Sequence, residues 1–211
     1  HTVFKDSIFS RVDSLTNDRT NFNVKLFIFN SEILCSDINY TNSMVMNFND
    51  IKTLKIVITN TSIYDFSLHI ESLHFLLSLK DVQWRSTCTM HGISINISKS
   101  VLSEHQVVVF RKIKLINVDV QCTGDFGHAN RNSSFLLVRS GQILIELMNC
   151  TFRGLPLTIM IINEFRYDSF DGINIELTVF RSVFTQSSTT SQGSGHAAVM
   201  IKLRNHRTPL V

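Results

Sequence analysis

The chain has 211 residues, of which 44% are hydrophobic and 18% are charged, and its formal net charge is +3. This length suffices for one domain with a sizeable core. The basic residues form no cluster, which argues against a nucleic-acid partner, and no apolar run approaches the roughly 18 residues of a membrane-spanning helix. We therefore expect one domain over residues 1–211, without nucleic-acid binding or membrane insertion.

One short pattern recurs along the chain. Two apolar residues stand two positions apart, an asparagine or aspartate follows two positions later, and another apolar residue comes three positions after that. The clearest copy is 145–152, in which Ile145 and Leu147 precede Asn149 and Phe152 follows it. In chain order, the residues at the Asn149 position of each copy are Asp6, Asn30, Asn60, Asp81, Lys99, Asn117, Asn149 and Arg181. Such a recurring unit indicates a stacked repeat architecture.

The spacing of apolar residues in each copy has a period of two, which is typical of β-strands. One such unit is too small to bury its own apolar face, whereas units stacked at strand spacing bury it against one another. The pattern therefore predicts an all-β fold, a single-stranded parallel β-helix, or solenoid, of about eight coils. An antiparallel sandwich is the alternative, but two prolines and eight glycines supply few hairpin turns.

The recurring polar position is predicted to lie at a sharp bend between two strands. Asparagine and aspartate tolerate such backbone conformations and hydrogen-bond to their neighbours. Their side chains are also expected to bond to one another from coil to coil, as in other stacked strands. The predicted stack contains Asp6, Asn30, Asn60, Asp81, Asn117 and Asn149.

The sequence segments 147–152 and 179–184 resemble the coil signatures of the right-handed parallel β-helix proteins of the pectin-lyase-like superfamily. The resemblance extends from about residue 3 to residue 184 and implies right-handed coils. Hydrolases of that superfamily carry an Asp-Asp pair, Gly-His-Gly and Arg-Ile-Lys, and this chain departs from all three. The nearest acid–base cluster is Asp119, Asp125 and His128, which the alternative interpretation, a carbohydrate-active lyase or hydrolase, would use.

Two longer steps of the repeat hold polar excursions at 124–133 and 163–172, and a Ser/Thr/Gly-rich stretch covers 186–195. Alternation resumes from Ala197 to Leu203, as if a further coil begins there. We expect the chain to be a segment of a longer solenoid or multidomain protein.

The four cysteines, Cys35, Cys88, Cys122 and Cys150, lack the spacing of a metal site. In the predicted register no pair comes within the roughly 7 Å that a disulfide requires, so we expect buried free thiols. No metal and no cofactor is predicted.

Five N-x-[ST] sequons occur, which indicates passage through the secretory pathway. Asn39 and Asn132 fall in predicted loops and Asn96 points outward, so these three are the candidate glycosylation sites. Asn60 and Asn149 are weaker candidates because their side chains belong to the predicted stack.

Together these features predict a non-catalytic structural or binding module of a larger glycoprotein, located outside the cell or at the cell surface. The expected partners are neighbouring domains of the same protein, further copies of the chain, or glycans.

Overall fold

The fold is described from a computed structural model of the chain. The description covers residues 2–5, 12–13, 23–34, 44–86, 92–96, 110–123, 134–139, 142–155, 157–165, 174–185 and 197–205. Within these ranges all regular structure is β-strand, so the all-β prediction is confirmed. The described part of the chain also holds no helix long and apolar enough to cross a membrane.

Fifteen strands are described. They are β1 (Thr2–Lys5), β2 (Val12–Asp13), β3 (Asn23–Phe29), β4 (Ser31–Leu34), β5 (Met44–Tyr64), β6 (Phe66–Ser86), β7 (Ile93–Asn96), β8 (Arg111–Cys122), β9 (Leu136–Arg139), β10 (Gln142–Met148), β11 (Thr151–Arg153), β12 (Leu157–Phe165), β13 (Asn174–Phe180), β14 (Val183–Thr185) and β15 (Ala197–Asn205).

The strands pair in three parallel ladders, which we name A, B and C. Ladder A joins β2, the first part of β5, the first part of β6, β7, β9, β12 and β15. Ladder B joins β3, the middle of β5 and of β6, the first part of β8, β10 and β13. Ladder C joins β1, β4, the ends of β5, β6 and β8, β11 and β14. Every pairing is parallel, which rules out the antiparallel sandwich for the described strands.

Apolar side chains on one side of each ladder form the core. In ladder B, for example, one row across the strands is Leu26, Ile56, Leu77, Ile113, Ile145 and Leu177. The four central members of this row are essentially inaccessible to solvent, and the two end members are partly buried against the same cluster. Because residues two apart share a face of a strand, the alternating sequence sends every second side chain outward.

A one-residue corner separates ladder B from ladder C. The residues at this corner are Asn30, Asn60, Asp81, Asn117, Asn149 and Arg181, and all have φ between 48° and 53°, the left-handed region. Three of the corner asparagines donate to the preceding corner: Asn60 Nδ2 to Asn30 Oδ1 at 2.8 Å, Asn117 Nδ2 to Asp81 Oδ1 at 2.7 Å, and Asn149 Nδ2 to Asn117 Oδ1 at 2.8 Å. Asparagine and aspartate fit here because they tolerate this conformation better than other non-glycine residues.

Aromatic rings stack on one another inside the core, beginning at Trp84. The register of ladder C places Trp84, Val120, Phe152 and Phe184 in one row, so a small side chain interrupts the aromatic series. Phe135 supplies the missing ring: its centroid lies 5.3 Å from that of Trp84 and 5.8 Å from that of Phe152. Phe152 in turn stacks on Phe184 at 5.2 Å.

Two details of the predicted repeat differ from the structure. β6 pairs directly with β8, with Lys80 opposite Ile116 and Val82 opposite Val118, so the extra level assigned to Lys99 between Asp81 and Asn117 is wrong. Lys99 and Asp6 themselves lie outside the described residues. The second difference concerns Phe4, which the predicted repeat places before a corner. In the structure β1 pairs Phe4 with Ile33, a residue that follows a corner. The sequence could not separate these two positions, because the strands of ladders B and C have the same alternation of period two.

Candidate binding surface

The outward side of ladder A carries a buried apolar cluster on β9, β12 and β15. Leu137, Met160 and Ile162 alternate with the core residues of their strands, so they point outward, yet all three are buried. With Leu157 they form a second apolar cluster, against which Met200 packs. Only this part of ladder A is closed, because the outward residues of β6 and β7, such as His69 and Asn96, are polar and partly exposed.

The outward side of ladder C, which we name face C, is mostly polar. Its side chains are Glu32, Ser62, Gln83, Asp119, Thr151 and Val183 in one row and Leu34, Tyr64, Arg85, Gln121, Arg153 and Thr185 in the other. Such a composition is typical of the solvated side of a sheet.

Asp119, the described member of the candidate acid–base cluster, lies on face C. Its Oδ1 is 3.8 Å from Nε of Arg153, which forms an ion pair between neighbouring strands. That same oxygen is shielded from solvent and accepts no hydrogen bond from the described residues. Asp125 and His128 lie outside the described residues, and the described part of the chain contains no group of acidic, histidine or cysteine side chains that could hold a metal.

The outward side of ladder B differs from both. Its first row of side chains is polar and contains Asn23, Thr53, His74, Gln142 and Asn174. The three rows that follow, which also run across the strands, we name face B. The rows are Lys25, Lys55, Leu76, Lys112, Leu144 and Glu176; Phe27, Val57, Ser78, Lys114, Glu146 and Thr178; and Phe29, Thr59, Lys80, Ile116, Met148 and Phe180. Large apolar side chains and lysines thus dominate an outward surface.

The apolar side chains of face B are open to solvent. Phe27 is 47% exposed, Phe29 and Phe180 are each 52% exposed, and Met148 is 37% exposed. Phe27 and Phe29 stack with their ring centroids 6.1 Å apart, and Lys55 Nζ lies 5.5 Å from the centroid of Phe27. Scattered exposed apolar residues are ordinary, whereas a shared row of them marks an interaction surface.

The lysines of face B are only partly neutralised. Glu146 accepts from Lys112 Nζ at 2.7 Å and lies 3.9 Å from Lys114 Nζ. Among the described residues, Lys25 and Lys55 have no carboxylate within ion-pair distance. Face B therefore combines exposed aromatic rings with an excess of positive charge.

The sequons fall in different settings. Nδ2 of Asn60 and of Asn149, the atom that would carry a glycan, donates to the neighbouring corner. Asn96 alternates with the buried Ile95, points outward and is half-buried. Asn39 and Asn132 lie outside the described residues.

The cysteines correct one expectation. Cys122 is disulfide-bonded, so the prediction of a free thiol is wrong at this position. Ser86 lies directly opposite Cys122 on the neighbouring strand. Cys35 and Cys88 lie outside the described residues. Cys150 is a buried free cysteine, and burial raises the pKa of its thiol.

One histidine on the outward side of ladder A is electrostatically perturbed. Burial lowers the pKa of His69, and the positive charge of Arg139 lowers it further. The ladder brings these side chains close, because His69 lies opposite Ser94, and Arg139 lies opposite Asn96 on the next strand. Both effects favour the neutral imidazole of His69.

No protein-family model matches the chain, and comparisons with curated proteins and with solved structures found no significant match. The resemblance to the pectin-lyase-like superfamily therefore stays a prediction.

Proposed function

We propose that this chain is a non-catalytic parallel β-helix module of an extracellular glycoprotein, and that it binds a partner through face B. The observation that carries this proposal is the contrast between face B, with its exposed phenylalanines and lysines, and the buried apolar cluster on the outward side of β9, β12 and β15. A regular stack of strands holds such a surface rigid, so little ordering is required when a partner binds.

The solenoid part of the proposal is supported by the order in which the chain visits the ladders. Residues 66–70, 75–80 and 82–86 belong to ladders A, B and C, and residues 93–96, 111–116 and 118–122 repeat that order. Residues 136–139, 142–148 and 151–153 repeat it again. Ladder C contains seven strands, so the proposed solenoid has about seven coils rather than the eight counted with Lys99.

The extracellular part of the proposal rests on the disulfide at Cys122 and on the sequons. Disulfides persist in oxidising compartments and are rare in the cytosol. Of the sequons, Asn39, Asn96 and Asn132 remain the proposed glycan sites. At Asn60 and Asn149, a glycan would replace the Nδ2 hydrogen that bonds to the neighbouring corner.

Glycan mapping tests this compartment assignment. The chain would be secreted from eukaryotic cells, treated with an amidase that converts glycosylated asparagine to aspartate in heavy-oxygen water, and analysed by peptide mass spectrometry. We expect the heavy-oxygen mass shift at Asn39, Asn96 or Asn132. Retention of the chain inside the cell, or secretion with all five sequons unmodified, would argue against a glycoprotein.

A separate assay tests the non-catalytic part. The purified chain would be incubated with neutral and acidic polysaccharides while reducing ends and unsaturated products are measured. We expect no release above a heat-denatured control. Release that disappears in Asp119→Asn would establish the carbohydrate-active alternative, because that substitution removes the carboxylate while keeping its shape.

A further inference from the structure

We propose that the partner of face B is an acidic polypeptide surface that also presents apolar or aromatic side chains. This inference rests on the proposed binding function and names its ligand class. It follows from two properties of face B: its apolar side chains and the sign of its charge.

The apolar side chains are the first property. Phe27, Phe29, Met148 and Phe180 are exposed, and Leu76 and Ile116 are partly exposed between them. Aromatic residues and methionine are enriched at protein interfaces, where burying them excludes water from the contact. Aliphatic side chains such as Leu76 and Ile116 require an apolar counterpart, which a polypeptide supplies.

Charge is the second property. Face B carries Lys25, Lys55, Lys80, Lys112 and Lys114, against Glu146 and Glu176. Glu146 already bonds to Lys112, so its charge is compensated within the surface. A partner with carboxylates at matching positions would be steered towards this excess of lysines, whereas a basic partner would be repelled.

The dimensions of face B set the expected strength. Face B is six strands wide, at about 4.8 Å per strand, and four to five residues long, at about 3.3 Å per residue, which gives an area of roughly 400–500 Å². Two such patches bury about 1,000 Å² in total, the lower limit of specific interfaces. We therefore expect a transient complex with a dissociation constant on the order of micromolar.

Direct binding with defined polymers tests the inference. A fluorescent random copolymer of glutamate and tyrosine is titrated with the full chain, and the same is done with polyglutamate, with heparin and with vesicles of phosphatidylserine and phosphatidylcholine. We expect the copolymer to bind about tenfold or more tightly than polyglutamate of equal charge, because only the copolymer offers rings to the phenylalanines. Binding should weaken as salt rises.

Variants locate the site. The double variant Phe27→Ser, Phe29→Ser is expected to weaken copolymer binding by about tenfold or more. Val183→Ser is the matched control, since Val183 is an exposed apolar residue of face C, and it should change binding by less than about twofold. Unchanged fluorescence of the core residue Trp84 would show that both variants remain folded.

The outcomes separate this inference from the proposed function. Three results would overturn the acidic polypeptide as the partner. They are the absence of copolymer binding, an equal loss of affinity in the double variant and in Val183→Ser, and tighter, phenylalanine-dependent binding of heparin or vesicles. The last of these results would leave a binding role for face B intact. Conversely, catalytic turnover or a cytosolic chain would overturn the proposed function while the copolymer titration stayed as expected.

Discussion

Replacing Asn117 by alanine tests how strongly the corner residues hold the fold. Asn117 has φ of 52°, donates to Asp81 at 2.7 Å and accepts from Asn149 at 2.8 Å. Each hydrogen bond contributes about 0.5–1.5 kcal/mol, with values near the lower end for exposed pairs such as these. Alanine in the left-handed region costs about a further 1–2 kcal/mol. We expect a total loss of about 2–4 kcal/mol, a large part of the stability of an ordinary domain.

Urea unfolding followed by the fluorescence of Trp84, the only tryptophan, measures this loss. Asn117→Gly separates the two contributions, because glycine loses the hydrogen bonds but adopts positive φ freely. It should be less destabilising than alanine by about 1 kcal/mol or more. Asn174→Ala, at an exposed position away from the corner, is the control and should change stability by less than about 0.5 kcal/mol. The reasoning fails if Asn117→Ala matches the wild type or if the glycine variant is as unstable as the alanine variant.

Three further predictions concern the core, a turn and pH. Phe135→Ala should cost about 3–5 kcal/mol and shift the tryptophan emission to the red, whereas Phe110→Ala at an exposed position should change little. Gly154→Ala should lower the melting temperature by several degrees, because φ is 69° and a Cβ would lie 2.7 Å from the carbonyl oxygen of Cys122. The pKa of His69 is lowered from 6.5, so the unfolded chain binds its proton more readily, and the unfolding free energy should fall as the pH drops below about 6.5. His69→Gln should make that decline shallower, and an unchanged slope would refute the assignment.

For most copies of the repeat, the sequence was sufficient to predict which residues of a strand face inward. Apolar residues at every second position, such as Ile143, Ile145 and Leu147, indicate the inward side of a strand, because in stacked strands every second side chain enters the core. The same holds for the polar residue that follows each of these strands. Asn149 and its equivalents stand where the chain turns within one residue, and few residue types tolerate the required φ.

What the sequence could not supply is contact between residues that share no position in the repeat. Phe135, which directly precedes β9, places its ring beside those of Trp84 and Phe152, and nothing in its local pattern indicates this. The level assigned to Lys99 was wrong for a related reason, because the alternation around Ile95 belongs to ladder A rather than to ladder B. Face B was also missed as a site, since only the register shows that Phe29, Met148 and Phe180 share one row.

The one-residue corner has a consequence for how such a chain can change during evolution. Between ladders B and C, one added residue would turn every following side chain of that strand to the opposite side. Between ladders A and B the interval already varies, from 72–74 in β6 to 97–110 between β7 and β8. Insertions and deletions should therefore accumulate between A and B. Faces B and C would keep a fixed angle to each other, so that a ligand spanning both would meet the same geometry in chains of very different length.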